Sequence, residues 1–180
     1  MSSPYLNPAI LWASLKQKYY YSLFNRLNKD DLKKVSWSSR TTQEARFRIF
    51  DQLGDLNNHS LLDIGCGLGD FYRYLTNQGL IIDYTGFDIM PEFILKAGKK
   101  YPKAKFATKN ILFNPPNHQF DYCFSSGIFA FGNLSFFKQM IEKSFSICKI
   151  GYAFNIHQTQ AKAFFKMTPN TAMTYCHSLN

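Results

Sequence analysis

LLDIGCGLGDF, residues 61–71, is the stretch on which the fold turns. Leu61, Leu62 and Ile64 form a short apolar run of the kind a sheet buries on both faces, and Gly65, Gly67 and Gly69 follow at alternate positions. Phe71, Tyr72 and Leu75 then place apolar groups along one side of a helical stretch. Strand, glycine loop and helix in that order define the edge at which open α/β sheets bind ligands. Glycine there permits a tight turn and lets backbone amides approach a ligand, and a side chain at Gly65 or Gly67 would block that approach.

The same alternation continues outward. Downstream, strands are predicted at 83–87, 105–107, 120–124 and 151–156, with helices over 91–100, where Pro91 suits a first turn, and over 133–148. Upstream, Leu11, Leu15, Tyr19 and Leu23 keep a four-residue step, which predicts an amphipathic helix over 8–27 packed on the domain, with Lys16, Lys18 and Arg26 in water. The basic, aromatic character of that helix also suits a membrane surface. A second helix is expected near Thr41, with Glu44 at capping-box spacing and Ala45, Ile49 and Leu53 on its buried face. The pattern predicts an α/β fold, a Rossmann-like, doubly wound, mostly parallel sheet flanked by helices. It divides into an N-terminal helical cap (1–56), a core (57–156) and a short C-terminal tail (157–180).

The spacing GxGxG departs from the GxGxxG of pyrophosphate-binding folds, and Asp63 at the strand end would repel a phosphate. A cationic ligand fits better, and S-adenosyl-L-methionine carries both a sulfonium and an ammonium group. Asp88, at the end of the second strand, is placed to accept hydrogen bonds from two ribose hydroxyls. Ile89 and Met90 offer an apolar face to a base, and Asn110-Ile111 follows the third strand, where Asn110 reaches the base edge.

LLDIGCGLGDF, YTGFDI and FDYCFSSG together resemble the class I S-adenosylmethionine-dependent methyltransferase family, over roughly Leu61 to Ile156. The resemblance implies that Asp63, Gly65, Cys66, Gly67 and Gly69 meet the methionine part of the cofactor and that Asp88 binds its ribose. It implies that Ser125, Ser126 and Gly127 face cofactor and substrate, and that Asn110 stands where the family often has an acidic residue near adenine. In a cap over the cofactor, Trp37, Gln43 or Arg46 would reach the methionine carboxylate, and Arg46 is chosen for charge-assisted pairing. The expected activity is methyl transfer to a small-molecule acceptor. The alternatives are a non-catalytic adenosylmethionine-binding or protein-interaction module and an RNA methyltransferase.

Other motifs read more plainly. Asn114-Pro115-Pro116 resembles the NPP motif of amino-methylating enzymes but precedes the fourth strand and is followed by Asn117, so it reads as a turn. Cys123 reads as a small core residue within a strand, and Asn155 and His157 stand at the sheet edge where substrates bind, with His157 a conceivable base. Cys66, Cys123, Cys148 and Cys176 lie far apart, suggesting neither a zinc site nor a disulfide framework. With no leader-like N-terminus, the expected setting is the reducing cytoplasm.

A net charge of +9 favours anionic partners, yet the basic residues are scattered, so nucleic acid is not favoured. The tail predicts a short helix over 161–167 and then a polar end without strand alternation. Strands six and seven of the family sheet are therefore expected to be missing or degenerate, leaving an edge prone to self-association.

Overall fold

The computed structural model describes residues 8–156 and 165–179. The chain opens with three helices, α1 (Pro8–Leu27), α2 (Asp31–Lys34) and α3 (Arg40–Asp51). It then alternates β1 (Ser60–Ile64), α4 (Asp70–Asn77), β2 (Asp83–Asp88), α5 (Pro91–Lys100), β3 (Lys105–Thr108), β4 (Phe120–Ser125), α6 (Leu134–Ser146) and β5 (Cys148–Phe154), and α7 (Pro169–His177) lies beyond the sheet. The sheet has the order β3-β2-β1-β4-β5 with every pairing parallel, so it is wholly parallel among the described residues. The chain winds outward from β1 to β3 on one side and resumes on the other with β4. This reversal opens a crevice above the carboxyl ends of β1 and β4.

Two cores sandwich the sheet, and strand pleat decides which residue joins which. Leu61, Tyr122 and Phe124 point to one face, where Phe47 and Phe50 of α3 meet Phe71, Tyr74 and Leu75 of α4. Leu62, Ile64 and Cys123 point to the other, against Phe136, Phe137, Met140 and Ile141 of α6. Cys123 is fully buried there, as a core cysteine should be.

The two N-terminal helices form where the periodicity places them but turn the opposite way. In α1 the stripe Leu11, Leu15, Tyr19, Leu23 is exposed, and the buried residues are Ile10, Ala13, Ser14 and Gln17. The reason is tertiary: Ile10 and Ala13 join the core built on α6, and Ser14 and Gln17 bond the loops at the carboxyl ends of the strands. Gln17 Nε2 donates to the carbonyl of Ile128, and Asn110 Nδ2 donates to Ser14 Oγ at 3.1 Å. In α3, Ile49 and Ala45 are exposed, while Gln43, Phe47 and Phe50 face inward. That set is offset by two residues from the expected one, about 200° around the helix. Its cap is Ser39, whose Oγ accepts from the Thr42 amide, and Glu44 pairs instead with Arg73 at 2.8 Å.

The C-terminal residues also correct an expectation. Residues 165–168 are not helical, the preceding residues of the predicted helix lie outside the described residues, and α7 occupies what had read as a polar end. Thr168 caps it and Pro169 fills its first position. Ala172 is buried, and Tyr175, Cys176 and Leu179 pack with it against the α6 core, a helical spacing among polar neighbours.

Candidate functional site

The carboxyl end of β1 passes into a loop in which Gly65, Gly67 and Gly69 all take positive φ, at 82°, 55° and 78°. Left-handed backbone turns the chain sharply from strand to helix without a Cβ penalty. The Gly65 and Cys66 amides both donate to the Phe87 carbonyl, and the Gly67 amide donates to Asp88 Oδ2 at 2.8 Å. The loop is thus stitched to the end of β2.

Above it lies a cavity of about 110 Å³. Its floor includes Asp63, Gly65, Cys66 and Gly67. Asp88 and Ile89 line one side, Asn110, Ile111 and Ser126 another, and Gln17, Tyr21, Val35, Trp37 and Gln43 come from the N-terminal region. A Cβ on Gly65 would meet Ile128 Cγ2 at 2.5 Å and one on Gly67 would meet Val35 Cγ1 at 3.2 Å, so the segment after β4 and the cap both close tightly on the loop.

Carboxylates dominate the polar wall. Asp63 is buried and accepts from the Tyr84 hydroxyl, and burial pushes its pKa up to about 7, with Asp88 and Asp70 nearby adding to the rise. Asp88, also buried, is pushed up to about 6 by burial, against the opposing bonds from the Met90 and Gly67 amides. Asp70 accepts from Gln43 Nε2 at 3.2 Å and has Arg73 Nε at 3.8 Å. Gln43 Oε1 is buried without a hydrogen-bond partner among the described residues. Two carboxyl groups without an ion pair among the described residues, Asp63 and Asp88, with the buried Asp70 and an unmatched acceptor around one cavity, suit a ligand carrying positive charge and donors.

The expected residues separate into distinct places. Asp63, Gly65, Cys66, Gly67, Asp88, Ile89, Asn110, Ile111 and Ser126 come together on the cavity wall. Gly69 does not line it: it precedes α4, and a Cβ there would meet Phe106 and Tyr101 at 3.0 Å, so its contact is with packing. Met90 is buried with Leu68 and Phe93 and meets the site only through its amide on Asp88. Arg46 stacks its guanidinium over Trp37 at 4.6 Å, outside the wall, while Gln43 one turn earlier reaches the cavity. Asn110 has both ends of its amide engaged, with Ser14 and the Leu112 amide, so it ties α1 to the sheet edge.

Ser125 is fully buried against Tyr152 at 2.7 Å and does not face the cavity; Ser126 and Gly127 do. Asn155 holds those two, donating to Ser126 Oγ and accepting from the Gly127 amide. His157 lies outside the described residues. The NPP segment sits in the loop before β4 with Asn114 and Pro115 exposed, away from the cavity. Asp70, Gln17, Tyr21 and Val35 were not expected. Asp70 stood in the quoted motif directly after the last glycine, whereas the α1 residues carried no signal because that helix had been turned the other way.

The family model described as methyltransferase domain matches residues 61–151, and the chain belongs to that family, whose cofactor is S-adenosylmethionine. A Mycobacterium tuberculosis protein with a methyltransferase name is 34% identical over 70 residues, 39% of this chain and 42% of that relative. The match therefore spans less than half the length of this curated relative.

Among solved structures, magnesium protoporphyrin IX methyltransferase from Synechocystis PCC 6803 with bound S-adenosylmethionine superposes with a TM-score of 0.72 at 14% identity, covering 98% of this chain and 88% of that one. The N-methyltransferase NodS from Bradyrhizobium japonicum WM9, in complex with S-adenosylhomocysteine, gives 0.68 at 19% identity over 89% and 85%. A TehB-like methyltransferase from Corynebacterium glutamicum gives 0.63 at 17% identity over 92% and 83%. These likenesses show the fold.

Proposed function

We propose that this chain transfers the methyl group of S-adenosylmethionine to a small-molecule acceptor. The observation that carries the reading is the glycine-loop cavity walled by Asp63, Asp70 and Asp88 with the unmatched Gln43 Oε1 beside them. When bound, S-adenosylmethionine supplies an already activated methyl group on its sulfonium.

Asp70 and Gln43 would hold the ammonium end, with Asp63 attracting both the ammonium and the sulfonium. Gly65 and Gly67 keep the loop backbone bare of side chains on the cavity wall, where a cofactor would approach it once Ile128 and Val35 give way. Each oxygen of Asp88 keeps a lone pair beyond its bond to the Gly67 or Met90 amide, enough to accept from two ribose hydroxyls. Ile89 and Ile111 would flank the base. Ser126 and Gly127, held by Asn155, would face the acceptor, whose lone pair attacks in line with the departing sulfur. The residues contribute mainly position and exclusion of water.

A small acceptor is favoured because α1 and the loop carrying Val35 and Trp37 line the cavity from the N-terminal side, which makes it a concave pocket. The solved relative of highest TM-score given above bears the name of a small-molecule substrate, protoporphyrin, which points the same way. One observation favours a second reading, a binding module without turnover: Ile128 and Val35 already fill the space that a side chain would take at Gly65 and Gly67.

Calorimetric titration with S-adenosylmethionine and S-adenosylhomocysteine, with ATP and NAD as controls, tests the cofactor site, and a screen with labelled methyl groups tests transfer. Selective binding with transfer is the expected result. Selective binding with no transfer to any acceptor class would leave the module, and a folded chain that binds neither would remove both readings.

A further inference from the structure

The outward-turned stripe of α1 plays no part in the cavity. Trp12 is 64% exposed, Tyr19 75% and Leu27 72%, and Leu11, Leu15 and Leu23 are exposed beside them. The row from Leu11 to Leu27 runs about 24 Å along the helix. A monomer in water gains nothing from such a row, and contiguous apolar surface on a helix marks an interaction face. α1 carries no aspartate or glutamate, and its three charged residues, Lys16, Lys18 and Arg26, are all exposed alongside the row.

We propose that the outer face of α1 docks the protein on an anionic lipid bilayer, lying in the plane of its surface. The chemistry matches in kind. Leucines enter the acyl boundary, Trp12 and Tyr19 suit the headgroup level, and the lysines and arginine meet lipid phosphates. Charge selects this occupant over a second copy of the chain, because pairing two such faces would bring together basic helices on molecules of net charge +9. No described helix is long and apolar enough to cross a membrane, so α1 lies on the surface instead of spanning it. The opposite side of α1 supplies Gln17 and Tyr21 to the cavity wall, which would bring that cavity to within about 10 Å of the bilayer, one helix diameter.

The docking does not depend on methyl transfer and is tested without it. The full chain is sedimented with large vesicles of phosphatidylcholine alone or mixed equally with phosphatidylglycerol, while tryptophan emission is recorded. The expected result is binding to the anionic vesicles with a blue shift and little binding to the neutral ones. Binding should fall about tenfold both in the Trp12→Ser/Leu15→Ser variant and in the Lys16→Glu/Lys18→Glu variant, with thermal midpoints unchanged because all four side chains are exposed. Absence of vesicle binding overturns the proposal. So does binding that only the charge variant weakens, which is diffuse attraction, or a dimer in light scattering that Trp12→Ser/Leu15→Ser dissolves, which makes the occupant a second copy.

Discussion

The two ends of the parallel sheet use aspartate in opposite ways. At the amino ends of the strands, Asp121 accepts from the Ser60 amide and hydroxyl at 2.9 and 2.7 Å and lies 3.3 Å from Lys149 Nζ, and these partners hold its pKa down to about 2. At the carboxyl ends, Asp63 and Asp88 lie deeper, make no ion pair among the described residues, although Lys109 lines the same cavity, and are pushed up to about 7 and about 6. Hydrogen bonds are present at both ends, since Asp88 accepts two amides and Asp63 a tyrosine hydroxyl. Desolvation outweighs them at one end only. One end therefore has its charge compensated within the fold and stabilises it, while the other holds carboxyl groups short of positive charge, which raises attraction for a cationic ligand at the expense of stability.

Replacing Asp63 should produce the largest contrast. Asp63→Asn keeps an acceptor for Tyr84 but removes the charge, and should weaken S-adenosylmethionine binding by about 2–3 kcal/mol in calorimetry. It should also narrow the preference over S-adenosylhomocysteine, which lacks the sulfonium charge, and raise the melting temperature of the ligand-free chain at pH 8. A lower melting temperature with unchanged preference would erase the distinction between the two ends. Asp88→Ala should weaken binding by about 1–3 kcal/mol through lost ribose bonds, with Lys99→Ala as an inert surface control.

At the other end, Asp121→Asn should lower stability by about 1 kcal/mol in denaturant melts while leaving cofactor affinity intact. Among the cavity residues, Gln43→Leu should have the smallest effect on binding, about 0.5–1.5 kcal/mol, because it removes one neutral acceptor.

Titration sharpens the same comparison. Asp63 holds a proton in the native state that the unfolded chain has already lost, so its effect lowers stability as pH rises from about 4 to about 7. Asp121 acts with the opposite sign: its contribution is present above the ordinary carboxyl pKa and disappears as pH falls toward about 2. Melting temperature of the ligand-free chain should thus rise on acidification from pH 8 to pH 5. Affinity for S-adenosylmethionine should fall over the same range as Asp63 and then Asp88 take up protons. Parallel movement of the two quantities would contradict the assignment of both carboxyl groups.

Local order was legible in the amino-acid sequence. The strand, glycine loop and helix of residues 61–71, the aspartate ending β2 and the alternation of elements follow from backbone conformation and residue period, which neighbouring residues set together. So did the gathering of Asp63, Gly67 and Asp88, because a parallel sheet brings the carboxyl ends of β1 and β2 side by side.

Which face of α1 and α3 turns inward was not legible. Both helices carry two competing stripes, and the choice fell to Gln17 and Ser14 bonding the sheet-edge loops and to Phe47 and Phe50 meeting α4. Those partners lie far away in the chain. For the same reason Gln43 replaces Arg46 on the cavity wall and Asn110 is drawn to Ser14: a hydrogen bond between distant segments exists only once the tertiary structure has brought them together.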